Sequence, residues 1–145
     1  MEHLVHILDA EPDTRGVVRF SNGELRRFRR QGVIDLFSLV ADDSVSTTSA
    51  LIADHVIGKG AAFLLIAGGF AEVYARMISR PALDLLRQTD IKVEYGHLVD
   101  NIRNRRGDGI CPVEQLTMPF ASPADADAAL AAIGRFISPE GREAF

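Results

Sequence analysis

Three stretches of the chain carry side chains whose chemistry could act on a ligand, and the first is Gly58-Lys59-Gly60. A helix that begins here would expose unpaired backbone N–H groups and a partial positive charge, which suit an anion. Lys59 would add a formal positive charge. The spacing is not that of a P-loop, since G-x-x-x-x-G-K-[ST] is absent. The alternative is that the glycines only allow the helix to pack closely against a sheet.

Ser79-Arg80-Pro81 marks a second helix start, and Ser79 would lie at the carboxyl end of a strand. Open α/β sheets bind ligands at this end of their parallel strands, so Ser79 is a candidate ligand-binding residue. The alternative is a serine that only caps the helix, followed by a solvent-exposed arginine.

The third stretch, from Asn104 to Glu114, reads N-R-R-G-D-G-I-C-P-V-E. Cys111 falls at the cap position of a helix whose first residue is Pro112. A helix N-terminus and a nearby arginine such as Arg105 favour the thiolate, the nucleophilic form of cysteine. Cys111 is therefore a candidate nucleophile, with Glu114 to move protons or orient the loop. The alternative is a small cysteine that packs in the core.

The sequence predicts no metal site and no cofactor. The four histidines His3, His6, His55 and His97 lack the spacing of a zinc motif, and a single cysteine excludes an internal disulfide or a cysteine-rich zinc site. Asp54, just before Gly58, could cap the helix that begins there or orient Lys59.

Composition indicates one domain over residues 1–145, with 47% apolar and 25% charged residues. The net charge of −4 gives no reason to expect nucleic acid as a partner. No apolar run reaches transmembrane length and no signal pattern opens the chain, so we expect a cytoplasmic protein away from membranes. The expected partner is an anionic small molecule, with a homo-oligomer as a further candidate.

The elements that must position these residues alternate between helix and strand. A central unit of helix, strand and helix is predicted from the apolar run Ala61–Ala67, from Val73–Ile78 and from the segment that Pro81 opens. Asn22-Gly23 predicts a hairpin turn. Together the segments predict an α/β fold, in three layers, with helices on both faces of a mixed sheet. The other elements predicted before the central unit are a helix that ends before Pro12, the hairpin strands Val17–Phe20 and Glu24–Phe28, a helix over Gly32–Val40 and a loop over Asp42–Ser49. Those predicted after it are a strand over Ile91–Tyr95, a helical turn or two over His97–Ile102, a short helix that begins near Cys111, and a helix that begins near Ser122 and ends near Ile137.

Over about Val17–Phe136 the chain resembles a bacterial family of unknown function, DUF1893. The resemblance rests on the pattern Asp54…Gly58-Lys59, then Ser79, then Asn104-Arg105…Gly109-x-Cys111-Pro112-x-Glu114. It implies alanine at position 60 and methionine at position 113, where this chain has Gly60 and Val113.

The resemblance also implies a cytidine-deaminase-like fold. Deaminases carry H-x-E at one helix start and P-C-x-x-C at the next, which hold a zinc ion and a catalytic glutamate. Gly58 and Gly60 stand where the histidine and the glutamate would be, and Ala82 and Leu85 where the cysteines would be. The resemblance therefore implies the fold without zinc-dependent deamination.

Two hypotheses about function remain open. The first is a zinc-free enzyme in which Cys111 is the nucleophile, Lys59 and Arg105 hold the substrate and Glu114 moves protons. The second is a non-catalytic module that binds a nucleotide-like or other anionic molecule, or that assists assembly. Both expect the candidate residues to converge on one pocket. These residues are Asp54, Gly58, Lys59, Ser79, Asn104, Arg105, Cys111 and Glu114.

Overall fold

A mixed sheet flanked by helices forms the computed structural model, which describes residues 1–30, 32–103, 109 and 111–137. The sheet order is β2-β1-β3-β4-β5. The strands are β1 (Gly16–Arg19), β2 (Leu25–Phe28), β3 (Leu51–Ile57), β4 (Glu72–Ser79) and β5 (Lys92–Val99). The helices are α1 (Glu2–Ala10), α2 (Ile34–Val40), α3 (Lys59–Gly68), α4 (Arg80–Leu86), α5 (Pro112–Thr117) and α6 (Ala126–Phe136), with a 3₁₀ turn at Pro123–Asp125.

An antiparallel hairpin begins the sheet and parallel strands continue it. β1 pairs antiparallel with both β2 and β3, whereas β3 and β5 each run parallel to β4. The hairpin turn uses Gly23 at φ 90°, and the side-chain oxygen of Asn22 accepts a hydrogen bond from the Glu24 N–H at 2.9 Å. The predicted hairpin is thus confirmed.

Helices cover both faces of the sheet, which confirms the predicted layering. Val18 and Ile52 belong to the main core, together with buried residues of α2, α3, α4 and α6. The adjacent Val17 and Ala53 belong to a second cluster with residues of α1. Neighbouring residues of a strand point to opposite faces, so the two clusters lie on opposite sides of the sheet. No helix among the described residues is long and apolar enough to cross a membrane.

The central strand β3 is missing from the sequence prediction, which placed nothing between the loop that ends at Ser49 and the helix start at Gly58. Its burial does not alternate, because Ile52, Ala53 and Ile57 are all buried. A strand covered on both faces loses the period-two pattern that identifies an exposed strand. Asp54 and His55 also interrupt the apolar run.

The predicted helical turn over His97–Ile102 is wrong, since His97–Val99 completes β5. Leu98 and Val99 pair with Ile78 and Ser79 of the parallel neighbour. Pairing with β4 outweighs the local helical spacing of these apolar residues.

The face presented to the main core shifts by one residue along the parallel strands. Ile52 and Ile57 both belong to the main core although they are five residues apart, and so do Val73 and Ile78 of β4. Strict alternation would put such pairs on opposite faces. The shift leaves Val56 and Met77 exposed, each at 38%.

Asp54 lies on β3 directly opposite Gly16 of β1. A Cβ atom at Gly16 would lie 2.9 Å from Asp54 Oδ2, so the carboxyl group fills the space that this glycine leaves. Burial of the carboxyl group raises the pKa of Asp54 to about 7. The backbone N–H groups of Val56 and His55 and the charge of Arg15 act in the opposite direction.

We expect Asp54→Asn to stabilise the protein at pH 8 and to have little effect near pH 4. In the unfolded chain the carboxyl group ionises near 3.8, and in the folded protein near 7. Between these values the folded state holds a proton that the unfolded chain has lost, so the free energy of unfolding falls as pH rises and is level above 7. Removing this effect should add up to about 4 kcal/mol at pH 8, by the 1.36 kcal/mol that each pKa unit represents.

Urea denaturation at several pH values between 4 and 8 measures this difference. Asp35→Asn is the control, because its effect should stay constant over this range and change only in stronger acid. Burial raises the pKa of Asp35, but hydrogen bonds from Arg30 and Arg29 outweigh it and hold that pKa below its usual value. Its contribution to stability is present at neutral pH and is lost in acid. Wild type and Asp54→Asn curves that stay parallel across this range would contradict the assignment.

Candidate functional site

The carboxylate of Glu114 binds the start of α3. α3 has Gly58 at its N-cap, which offers no side chain to the helix. Glu114 of α5 is only 3% exposed, and its Oε1 accepts a hydrogen bond from the Lys59 backbone N–H at 2.9 Å. It thus satisfies one of the N–H groups that a helix start leaves unpaired. The negative group at this helix start is a side chain of the protein itself.

Both glycines at this helix start make room for α5. A Cβ atom at Gly58 would lie 2.7 Å from Glu114 Oε1, and one at Gly60 would lie 2.2 Å from Val113 Cγ1. Both distances are shorter than real Cβ contacts allow. The glycines therefore permit a close helix contact, as the alternative interpretation expected, but the partner is α5 rather than the sheet.

The ammonium group of Lys59 is directed to the far end of α5. Its Nζ lies 3.4 Å from the backbone oxygen of Met118, the C-cap of α5. A cation at the C-terminal end of a helix is favourable. Lys59 and Glu114 thus meet through the Lys59 backbone, while the Lys59 ammonium group lies elsewhere.

Cys111 occupies the predicted N-cap of α5, with Pro112 as the first helical residue. Its backbone N–H donates to the Ile102 oxygen at 2.7 Å. The side chain is partly exposed and packs against the main core. Within the described residues the thiol forms no hydrogen bond, so no general base contacts it there.

The other predicted site residues divide into two groups. Ser79 is completely buried, and its Oγ accepts from the Ala82 N–H at 3.2 Å, so it caps α4. Asp54 accepts from Val56 N–H at 3.2 Å within its own strand, so the idea that it caps α3 is wrong. Asn104 and Arg105 lie outside the described residues.

A cavity of about 550 Å³ lies at the carboxyl ends of β3, β4 and β5, where the sequence predicted a pocket, but none of the described candidate residues lines it. Its lining combines exposed apolar side chains with polar ones from the segment that follows β5. The lining residues are Val56, Met77, Val99, Asp100, Asn101, Ile102 and Arg103. The sequence offers little to identify this lining, because the one-residue shift that exposes Val56 and Met77 is visible only in the structure.

Ile102 connects this cavity to the start of α3 and to Cys111. Besides lining the cavity and accepting from Cys111, it places Cγ1 3.1 Å from the position of a Cβ atom at Gly58. Among the described residues there is no group of three or more His, Cys, Asp or Glu side chains that could hold a metal ion.

Comparison with known proteins identifies the family. The model of the TM1506 domain of unknown function (DUF1893) matches residues 5–133. The chain belongs to the DUF1893 family. A crystal structure of a DUF1893 family protein, TM1506 from Thermotoga maritima, has the same fold, with a TM-score of 0.76 at 19% sequence identity over 92% of this chain and 91% of that one. No curated protein matches.

The two departures from the expected DUF1893 pattern are in contact with each other. Gly60 stands where alanine is expected and Val113 where methionine is expected. Because a Cβ atom at position 60 would overlap Val113 Cγ1, an alanine there could not coexist with Val113 unless the Val113 side chain rotated or α3 or α5 shifted. Methionine has no branch at Cβ, so it would leave the space that Cγ1 of Val113 occupies. We therefore expect substitutions at the two positions to compensate each other.

We expect Gly60→Ala alone to lower the free energy of unfolding by about 1–3 kcal/mol, the usual cost of overpacking. Adding Val113→Met should recover most of this loss, because the clashing methyl group is gone. Urea denaturation of wild type, both single variants and the double variant gives the coupling energy. Val113→Met alone should cost less than about 1.5 kcal/mol. Additive effects of the two substitutions would disprove the compensation.

Proposed function

We propose that this DUF1893 chain is a zinc-free, non-catalytic domain that binds an anionic small molecule on a cytidine-deaminase-like fold. The observation that carries the proposal is the position of the cavity lined by Val56, Met77 and Val99. It lies where three adjacent parallel strands end, which is the usual ligand position in open α/β sheets.

The topology supports the deaminase-like fold. A β-hairpin precedes two parallel strands, and each of these leads into a helix at the positions where deaminases hold zinc. Gly58 and Gly60 at the first start, and Ala82 and Leu85 at the second, have no side chain that can bind zinc. A histidine at 58 or a glutamate at 60 would overlap the side chains of α5.

The use of Glu114 favours binding over catalysis. A general acid or base must reach the reacting group of a substrate. The Glu114 side chain is buried and its Oε1 already accepts the Lys59 N–H. Removing it from this contact would leave a helix start without its partner.

The cavity lining favours a ligand with an apolar body and an anionic group. Val56, Met77 and Ile102 offer apolar contact, while Arg103 offers a guanidinium group that makes no ion pair with the described residues. Asp100 adds a carboxylate to the same lining, which can accept hydrogen bonds from hydroxyl or amino groups of a ligand. Arginine binds carboxylate and phosphate through paired hydrogen bonds. A mononucleotide fits this description.

We expect cytidine monophosphate to raise the melting temperature more than cytidine or inorganic phosphate does at equal concentration. A ligand stabilises the folded state by RT ln(1 + [L]/Kd), so the shift should grow with concentration. Arg103→Gln should abolish the shift, while Arg87→Gln, at an exposed arginine outside the cavity lining, should preserve it. No shift with any of the three compounds, or equal losses in both variants, would disprove the proposed ligand class.

A second candidate function, a cysteine-based activity, is favoured by one observation. Cys111 occupies the N-cap position of α5 and is partly exposed, and Ile102 joins it to the cavity. Against this, Cys111 also packs against the main core. The two properties predict opposite reactivities of the thiol.

We expect iodoacetamide to modify Cys111 more slowly in the native protein than in denatured protein at every pH from 5 to 9. Packing limits access of the reagent, and the described residues supply no base to the thiol. Mass spectrometry measures both rates, with Cys111→Ser as the control for other sites. A native rate above the denatured one would overturn this expectation and favour the nucleophile.

A further inference from the structure

The outer side of the edge strand β5 forms no backbone pairing with any other described strand. The sheet ends at β5, and no described segment pairs with its outer side. All eight residues from Lys92 to Val99 are at least partly exposed. An edge of this length presents a row of unpaired N–H and C=O groups that can template pairing with another strand.

The opposite edge of the sheet is protected. β2 has four residues, and its two central residues, Arg26 and Arg27, are exposed. Arg27 forms a salt bridge with Glu11 at 2.8 Å. Short edges resist pairing with a further strand, so β2 is a poorer template than β5, which is twice as long.

The sequence of β5 is complementary to itself when reversed about its midpoint. An antiparallel copy placed there puts Val93 opposite Leu98 and Glu94 opposite His97. Apolar pairs and pairs of opposite charge, such as a glutamate with a protonated histidine, are among the cross-strand contacts that stabilise sheets. Tyr95, which is 38% exposed, would lie opposite Gly96.

The faces of the strand agree with this register. Residues that oppose each other in an antiparallel pair must share a face. Val93 and Leu98 are five residues apart, yet both pack against the main core and pair with its members Val73 and Ile78. The one-residue shift noted for β3 and β4 therefore continues into β5. The centre of β5 includes Gly96, which has no side chain to obstruct the opposing strand.

We propose that two copies of this chain pair antiparallel along β5 around a two-fold axis between Tyr95 and Gly96, which joins their sheets into one of ten strands. The partner strand is a second copy of β5, because a two-fold axis then forms the Val93–Leu98 and Glu94–His97 pairs on both sides of it. The partner's Lys92 would then lie beside Val99, which lines the cavity. The dimer does not depend on the proposed small-molecule function.

Charge substitution tests this register. His97→Glu places a carboxylate opposite Glu94 in both symmetry-related pairs, one on each side of the axis, so the dimer dissociation constant should rise at least tenfold. Adding Glu94→Lys turns both contacts into salt bridges and should restore dimerisation. Sedimentation velocity over a range of concentrations measures both constants, and circular dichroism checks that each variant folds. Arg26→Glu on β2 is the control and should leave the dimer intact.

Disulfide trapping tests the position of the axis without changing charge. In the Cys111→Ser background, cysteines introduced by Tyr95→Cys would lie diagonally across the axis, within the 4.4–6.8 Å that a disulfide requires. Those introduced by Lys92→Cys on the same strand would be seven residues apart along it, or about 23 Å at 3.3 Å per residue. Mild oxidation should therefore trap a covalent dimer with the first variant only.

Three results would overturn the proposal. The first is a wild-type protein that stays monomeric at 100 μM, and the second is a dimer that His97→Glu leaves unchanged. The third is equal trapping by the cysteines at positions 95 and 92, which would indicate random collision. Restoration by the double substitution, together with selective trapping, supports it.

Discussion

The hydrogen bond between the Glu114 carboxylate and the Lys59 N–H joins α5 to the buried start of α3. α3 is buried along most of its length, and its side chains Phe63, Leu64 and Leu65 are completely inaccessible. A helix start inside the protein cannot leave its N–H groups to water, and a buried carboxylate also needs a donor. This contact, across 55 positions of sequence, gives one of these N–H groups an acceptor and the carboxylate a donor, and it joins α5 to α3.

Local signals in the sequence were sufficient for the elements that depend on them. Asn22-Gly23 identified the hairpin, and Ser122 before Pro123 identified a capped helix start, which the structure shows with a complete capping box. β3 could not be found in this way, because both of its faces are covered and alternation disappears. The strand character of His97–Val99 depends on pairing with β4, which no local pattern contains.

None of the described candidate site residues lines the cavity. The place of Cys111 at the N-cap of α5 does follow from a helix-start pattern. The role of Glu114 did not follow, because sequence cannot show whether a carboxylate faces a ligand or a backbone N–H. A pocket at the strand ends was expected, but Val56 and Met77 as its lining were not, since their exposure arises from a shift of face that neighbouring strands share.

The close contact of α5 with α3 restricts what this fold can bind. A side chain at position 58 meets Glu114, and one at position 60 meets Val113, so neither position can gain a metal-binding side chain unless α5 moves as well. Moving α5 would expose the Lys59 N–H and withdraw its buried partner, a cost of about 1–3 kcal/mol for each group left unpaired. A ligand is therefore more readily accommodated beyond Ile102, where the strand ends remain open, than at the start of α3.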